Sequence, residues 1–129
     1  MACNSIEDIA RLCHQRNKMY CEARGDHSQV DWEDAPQWQK ESAIEGVIHV
    51  IKNFPNVDPS ASHINWFNKK LEEGWQYGPE KDVEKKLHPC MLPYDMLPAF
   101  QRIKDIIFVN TVLNEMGLKG AAYYERANS

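Results

Sequence analysis

The chain contains no apolar run of about 18 residues, which is the length that a membrane-spanning helix needs. It also lacks an excess of basic side chains, since its formal net charge is −4. This disfavours a general nucleic-acid binder, which needs a basic surface. The N-terminal residues MACNSIEDIARLC carry acids and a helical pattern instead of the basic and then apolar layout of a signal peptide. We therefore expect a cytoplasmic protein, with neither nucleic acid nor membrane among its partners.

Cysteines are few, and their spacing does not match a zinc-binding pattern. They are Cys3, Cys13, Cys21 and Cys90. In a reducing cytoplasm they are expected to remain free thiols. A metal site that combines His14 with Cys13 and Cys21 is disfavoured, because more than two helical turns separate the two thiols. We expect neither a metal nor a cofactor.

Motifs of known catalytic machinery are also missing, namely a Gly-rich phosphate loop, G-x-S-x-G and H-E-x-x-H. His88 with Asp95, or Cys90 with His88, can be drawn as a dyad. Residues two apart in an extended strand share a face, but this does not bring them into productive contact. We therefore expect no enzymatic activity, with a hydrolase acting on a bound ligand as the alternative.

What is present predicts a mainly α fold. The 129 residues, 43% of them apolar, suffice for one domain with a modest core. Helices are predicted over 6–23, 36–52, 60–73 and 98–116, with a short β-hairpin between the third and fourth whose arms are 76–78 and 87–92. Ser5 and Asp8 cap the first helix, and prolines begin the second and fourth. Residues 119–129 form a polar tail that we expect to fray.

Hydrophobic periodicity predicts which helix faces are buried. The core stripes are Ile44, Val47, Ile48 and Ile51 on the second helix and Ile64, Phe67 and Leu71 on the third. The fourth helix is apolar on most sides, so it is expected to be central and the most buried.

Trp66 does not lie on the stripe of the third helix. At about 100° per residue it projects away from the stripe, beside His63 and Lys70. One interpretation is that Trp66 packs under the following loop. The other is that it forms an aromatic platform with polar neighbours for a ligand.

Residues 74–98 pack aromatics, glycines and prolines densely, and four prolines keep the segment from forming a regular helix. A rigid segment of this kind, next to Trp66, can form a base-binding cleft with aromatic faces, hydrogen-bonding groups and positive charge. The candidate ligand-binding residues are His63, Trp66, Lys70, Trp75, Tyr77, His88, Tyr94 and Arg102, with Lys81, Lys85 and Lys86 as further cations. Alternatively, Trp75, Tyr77 and His88 only brace the hairpin, and the cations of 81–86 belong to a solvated turn.

A faint internal repeat relates residues 32–40 (WEDAPQWQK) to residues 94–102 (YDMLPAFQR). Both segments would begin a helix with proline, and His14 and His63 occupy similar places in the preceding helices. This suggests two helix pairs related by a pseudo-twofold, the second elaborated by the hairpin. Shared helix-start chemistry is the alternative explanation.

The motifs GWQYGP (74–79), LHPC (87–90) and YDMLP (94–98), preceded by H-x-x-W at His63 and Trp66, resemble the RyR domain, the repeat module of ryanodine receptors. The resemblance covers about 60–118, downstream of the helix pair 6–52. The upstream WEDAP and WQKESA are similar to the leader of free-standing bacterial and phage members.

The resemblance implies a helical module with a short hairpin, and it does not imply a channel. In the receptors the repeats pack about a pseudo-twofold, with an adenine-nucleotide-type ligand associated with the cleft between them. Here the N-terminal repeat or a homodimer would supply the second half. We therefore predict a non-enzymatic binding module for a nucleotide-derived or similar small ligand, acting as a sensor or a sequestering protein. The alternative is a protein-interaction or homodimeric structural module.

Overall fold

The computed structural model describes residues 5–55 and 57–117, and most of them lie in four α-helices. The helices are α1 (Ile6–Ala23), α2 (Gln37–Asn53), α3 (Pro59–Glu72) and α4 (Ala99–Glu115). The predicted mainly α, four-helix fold is therefore confirmed. Cys3 and the predicted frayed tail lie outside the described residues. Within the described ranges, no helix has both the length and the apolar character that crossing a bilayer requires.

The start of α1 confirms the predicted cap. The Ser5 hydroxyl accepts a hydrogen bond from the Asp8 backbone N–H at 3.1 Å, and the Asp8 carboxylate accepts one from the Ser5 N–H. These reciprocal bonds form a capping box, which satisfies two backbone groups at the helix terminus.

A two-stranded sheet lies between α3 and α4, as predicted, but its strands run parallel. β1 (Gln76–Tyr77) pairs with β2 (Leu87–His88). The tight turn lies over 82–87, where Asp82 and Leu87 exchange two backbone hydrogen bonds of 2.9 Å. Because the turn reverses the chain only after residue 81, the residue that pairs antiparallel with Leu87 is Asp82. β1 pairs with Leu87 on the opposite edge of the strand. The hairpin arms are therefore 82 and 87, and the pairing of 76–77 is a separate contact.

The four helices comprise an inner pair, α2 and α4, and an outer pair, α1 and α3. α2 and α4 each contact all three other helices, whereas α1 and α3 lie outside them. The core contains Ile9, Ala10, Cys13, Trp32, Val47, Val50, Val57, Val109, Val112 and Leu113. The buried residues of α4 are confined to its second half, Val109–Leu113, because its first half borders a cavity. Its central position is confirmed, but α2 shares it, and α1 carries more buried residues than α4.

The predicted core face of α3 is wrong. Ile64 and Leu71 are 53% and 54% exposed, and the buried residues of this helix are Pro59, His63 and Lys70. The helix is rotated so that its polar and aromatic face points inward, toward the cavity. On α2 the stripe is displaced in a milder way, since Val47 and Val50 are buried and Ile48 is 37% exposed.

The repeat found in the sequence corresponds to matching local structures. Residues 32–34 and 94–96 each form a single 3-10 turn, closed by an N–H···O bond of 3.1 Å from Ala35 to Trp32 and from Leu97 to Tyr94. Pro36 and Pro98 follow with nearly the same extended backbone, and each precedes an α-helix of 17 residues. The second half of the chain is therefore built like the first, with the 76–88 segment inserted.

The preceding helices are equivalent as well. His14 Nε2 lies 2.6 Å from the Val30 carbonyl oxygen, and His63 Nε2 lies 2.7 Å from that of Leu92. In both cases the carbonyl lies two residues before the aromatic that begins the repeat. Each imidazole also contacts that aromatic ring, with centroids 5.8 Å apart for His14 and Trp32 and 5.9 Å for His63 and Tyr94.

When the pairing of residues 32–40 with 94–102 is extended along the two helices, Gly46 is equivalent to Phe108. These two residues meet where α2 crosses α4. A Cβ built on Gly46 would lie 2.8 Å from Cζ of Phe108, so only glycine permits this approach without a shift of the ring. Contact between equivalent residues is what a local twofold axis between α2 and α4 produces. Both residues line the cavity described next.

Candidate functional site

A cavity of about 440 Å³ opens beside the indole of Trp66. All four helices contribute to its wall, together with the segment that carries the sheet. Its lining includes equivalent residues from both halves, among them the pairs His14 and His63, Gln39 and Gln101, and Gly46 and Phe108. The cavity therefore lies between the two halves of the repeat.

Three indole rings line the cavity. Trp38 and Trp75 are tilted against each other with centroids 5.6 Å apart. Trp66 stacks on His63 at 5.6 Å, and the ring of His88 meets it edge-on at 5.0 Å. Trp66 is half-buried, so it both contacts the segment after α3 and presents surface to the cavity. The geometry is compatible with both interpretations of Trp66, and its role as a platform for a ligand stays a prediction.

His63 is held in one orientation. Its Nε2–H donates to the Leu92 carbonyl, which leaves Nδ1 facing the Asp105 carboxyl at 3.9 Å. Burial lowers the pKa of His63 and raises the pKa of Asp105 to about 7. A neutral imidazole therefore lies beside a carboxyl that titrates near physiological pH.

His88 is also fixed in a neutral form. The Cys90 backbone N–H donates to its Nδ1 at 2.9 Å, so Nδ1 carries no proton. The pKa of His88 is lowered to about 4, mainly by burial and to a smaller extent by repulsion from Lys81, Lys104 and Lys70. The contact with Cys90 therefore runs through the backbone, and burial raises the pKa of the Cys90 thiol to about 11. A nucleophilic cysteine requires the opposite shift.

Two lysines lie against one indole. The ammonium of Lys70 is 5.1 Å from the ring centroid of Trp38, and that of Lys81 is 5.4 Å from it. Lys70 is only 4% exposed and pairs with Glu73 at 3.2 Å. Lys81 is exposed overall, but partial desolvation at the cavity wall, with repulsion from Lys70 and Lys104, lowers its pKa. These are cation–π contacts, and they concentrate positive charge at this end of the cavity.

The eight ligand-binding residues predicted from the sequence divide into two groups. Five of the eight candidates line the cavity: His63, Trp66, Lys70, Trp75 and His88. Tyr77, Tyr94 and Arg102 do not line it. Tyr77 is more than half exposed, and Tyr94 packs on the outer side of His63. Of the further cations only Lys81 lines the cavity, because Lys86 donates to the Glu73 carbonyl and Lys85 lies on the exposed turn.

Several lining residues escaped the sequence analysis. They are Asn17, Trp38, Gln101, Lys104 and Asp105. The side-chain oxygens of Asn17 and Gln101 are buried and have no hydrogen-bond partner among the described residues. The repeat already contained a signal for two of them, since Trp38 and Gln101 fall within its aromatic–glutamine pattern. The N-terminal turns of α2 and α4 both line the cavity, and each of them lies in one copy of the repeat.

No group of three or more His, Cys, Asp or Glu side chains in the described part of the chain is arranged to hold a metal ion. Cys13, Cys21 and Cys90 are free thiols, and Cys13 and Cys21 are buried. Burial raises the pKa of Cys13 to about 12, so its thiol stays protonated.

The comparison with known families agrees with the motifs of the central segment. The model of the RyR domain matches residues 30–122. This span begins before the first 3-10 turn, and it includes α2, α3, the sheet segment and α4. It covers most of the chain and most of the cavity wall. The chain therefore belongs to the RyR domain family.

Proposed function

We propose that this protein is a binding module for a nucleotide-derived or similar small ligand, which it holds in the tryptophan-lined cavity without chemical conversion. The observation that carries the proposal is the cavity beside Trp66. Its volume of about 440 Å³ lies within the range of roughly 300–1,000 Å³ found for small-molecule sites.

The composition of the wall supports a flat, polar ligand. Trp38, Trp66 and Trp75 present aromatic faces, and stacking of one base on an aromatic ring is worth about 1–3 kcal/mol. The fixed histidines contact Trp66 and Trp75, and Trp38 packs on Trp75, so the rings are positioned before a ligand arrives. Such preorganisation reduces the entropy lost on binding. A cytoplasmic sensor and a sequestering protein both fit this activity.

Titration calorimetry with adenine nucleotides and NAD-derived nucleotides, followed in parallel by tryptophan fluorescence, tests the proposal. We expect heat of binding and a fluorescence change with at least one ligand of this class. Trp66→Ala should weaken binding by about 5- to 150-fold, the equivalent of one lost stacking contact. Ile64→Ala on the outer face of α3 is the matched control and should leave the affinity unchanged.

Two results would count against the proposal. If no nucleotide of the panel gives heat or a fluorescence change, the proposal of a nucleotide-like ligand is contradicted. Conversion of a bound nucleotide, detected by product analysis after incubation, would show a hydrolase instead of a pure binding module.

The second candidate is a protein-interaction or homodimeric module. The exposed Ile64 and Leu71, which are seven residues apart and share one face of α3, favour it. Light scattering of the protein and of Ile64→Ser with Leu71→Ser separates the candidates. A dimer that this double variant abolishes, in a protein that binds no nucleotide, would establish the second function.

A further inference from the structure

We propose that Lys70, Lys81 and Lys104 form an anion-binding end of the cavity, and that the buried amide oxygens of Asn17 and Gln101 accept hydrogen bonds from uncharged groups of the same ligand. The ligand would bind in one orientation, with a phosphate group at the three lysines. This inference rests on the proposed function, and it adds which residues receive the phosphate and which receive uncharged donors of the ligand.

The three lysines converge on one wall of the cavity. Lys70 and Lys81 lie over the same indole, that of Trp38, at 5.1 and 5.4 Å. Lys104 lines the same cavity, and it is near enough for its charge to lower the pKa of both Lys81 and His88. The side chains whose charge lowers the pKa of His88 are all basic, namely Lys81, Lys104, Lys70 and His63. The potential at this wall is therefore positive.

The charges of these lysines are poorly compensated. Lys70 has one carboxylate partner, Glu73, whose side chain is 53% exposed. Neither Lys81 nor Lys104 forms an ion pair within residues 5–55 and 57–117. Like charges held together in a partly desolvated site repel one another, and an anion between them removes that cost.

The carboxylates of the cavity do not cancel this charge. Glu45 pairs with Lys69 at 3.5 Å, and Glu41 accepts a hydrogen bond from Gln37. Asp105 is the acid nearest to Lys104 in sequence, and burial raises its pKa to about 7, which leaves it partly protonated at neutral pH. The cavity can therefore accept a dianion such as a phosphate monoester without displacing a strong internal ion pair.

The internal repeat shows that the charge belongs to one half only. In the first half, the position of Lys70 is occupied by Cys21 and that of Lys104 by Ser42. Lys81 lies in the inserted segment, which the first half lacks. The anion-binding end therefore consists of residues that depart from the repeat. It makes the two halves of the pseudo-symmetric cavity different, so a ligand can bind in one orientation.

The cavity wall also carries two neutral amide groups. The side-chain oxygens of Asn17 and Gln101 are buried, line the cavity and have no partner among the described residues. Leaving a buried polar atom without a hydrogen bond is costly, so these oxygens are suited to N–H or O–H groups of a ligand. The part of the ligand that binds here is uncharged and carries such donors.

The test compares a nucleoside with its 5′-monophosphate, adenosine with AMP, by titration calorimetry at two salt concentrations. We expect AMP to bind at least tenfold tighter than adenosine and to weaken as salt rises. Lys81→Met should reduce this preference to less than threefold. Lys85→Met, four positions away on the exposed turn, is the control and should retain the preference.

A stability measurement on the free proteins accompanies the titration. If Lys81 serves an anion, then Lys81→Met removes repulsion and should raise the melting temperature while it weakens AMP binding. A lysine with a purely structural role would give a lower melting temperature.

The outcomes separate this inference from the proposed function. Equal affinity for adenosine and AMP overturns the anion-binding end and leaves the proposed function standing. A preference for AMP that survives both Lys81→Met and Lys70→Met overturns the assignment of the lysines. If neither nucleoside nor nucleotide binds, inorganic pyrophosphate decides. Its binding, lost in Lys81→Met, supports the anion site and contradicts the nucleotide proposal, whereas no binding overturns both.

Discussion

The outer helices α1 and α3 occupy equivalent places in the two halves, yet they bury different side chains. His14 and His63 match in position, burial and hydrogen bonding. About two turns further along, Cys21 and Lys70 are also equivalent and are 1% and 4% exposed. A thiol is buried in one helix where an ammonium is buried in the other.

The cavity explains this difference. Lys70 lines it and lies against the Trp38 ring, whereas Cys21 does not reach it. Burial of a charge is expensive unless a partner or a polar space receives it, so this helix position tolerates lysine only where it faces the cavity, as in α3. The fold therefore repeats its framework and varies the residues that face the cavity.

The largest expected effect concerns the aromatics that begin the repeats. Trp32 is 1% exposed and Tyr94 only half-buried. Trp32→Ala should lower the free energy of unfolding by about 3–5 kcal/mol, because it leaves a large void in the core. Tyr94→Ala should cost about 1–2 kcal/mol. Urea denaturation of both variants measures this, and equal losses would contradict the proposed difference between the halves.

Exchange of the buried thiol and ammonium should give effects of opposite sign. Cys21→Lys places an unpaired charge in an apolar site and should cost about 3–5 kcal/mol. Lys70→Met keeps the stem that packs on Trp38 and removes the charge, so it should be neutral or stabilise the protein by about 1–4 kcal/mol. Thermal denaturation of the two variants decides. Tolerance of lysine at position 21 would show that the cavity is not what permits Lys70.

The carboxyl of Asp105 has no counterpart in the first half, where Ala43 is equivalent, and it should make stability depend on pH. Its folded pKa is about 7, against 3.8 as the ordinary value, because burial favours the protonated form. Between these values the folded state holds a proton that the unfolded state has lost, so stability falls as pH rises through this window. Asp105→Asn should be nearly neutral at pH 4 and stabilise by about 2–4 kcal/mol at pH 8.

Asp95→Asn, at an exposed position, is the control for this series. Denaturation at pH 4, 6 and 8 should show no trend for it relative to the parent. A difference between Asp105→Asn and the parent that does not grow with pH would mean that Asp105 is ionised throughout.

The smallest expected effect is on the outer face of α3. Ile64→Ala should change the free energy of unfolding by less than about 0.5 kcal/mol, because Ile64 is already exposed. The same substitution at Ile9, which is buried in α1, should cost about 2–5 kcal/mol. If denaturant midpoints show similar losses, then Ile64 belongs to a core, as its periodicity predicts.

Local signals were sufficient to predict most of the framework. The bounds of α1, its Ser5 cap and the proline starts of α2 and α4 depend on residues within one or two turns of each other, so the sequence contains them directly. The repeat could be recognised for the same reason, since it consists of the neighbouring residues that begin α2 and α4.

The orientation of α3 and the pairing of β1 could not be predicted in this way. Ile64, Phe67 and Leu71 have the spacing of a core stripe, but the face that turns inward depends on the cavity that α2 and α4 leave open. The parallel pairing depends on the path of residues 78–81, which no local pattern specifies. Lys104 and Asp105 were missed because a charged pair near a helix start normally indicates a solvated surface.

The most direct test of the account uses the four indole N–H signals, assigned with single Trp→Phe variants, in ¹H–¹⁵N spectra during titration with AMP. The account predicts that the signals of Trp38, Trp66 and Trp75 shift together and saturate, whereas that of Trp32, buried in the core away from the cavity, stays in place. Saturable shifts confined to Trp32, or no shift of the three cavity indoles, would contradict a ligand site between the two halves.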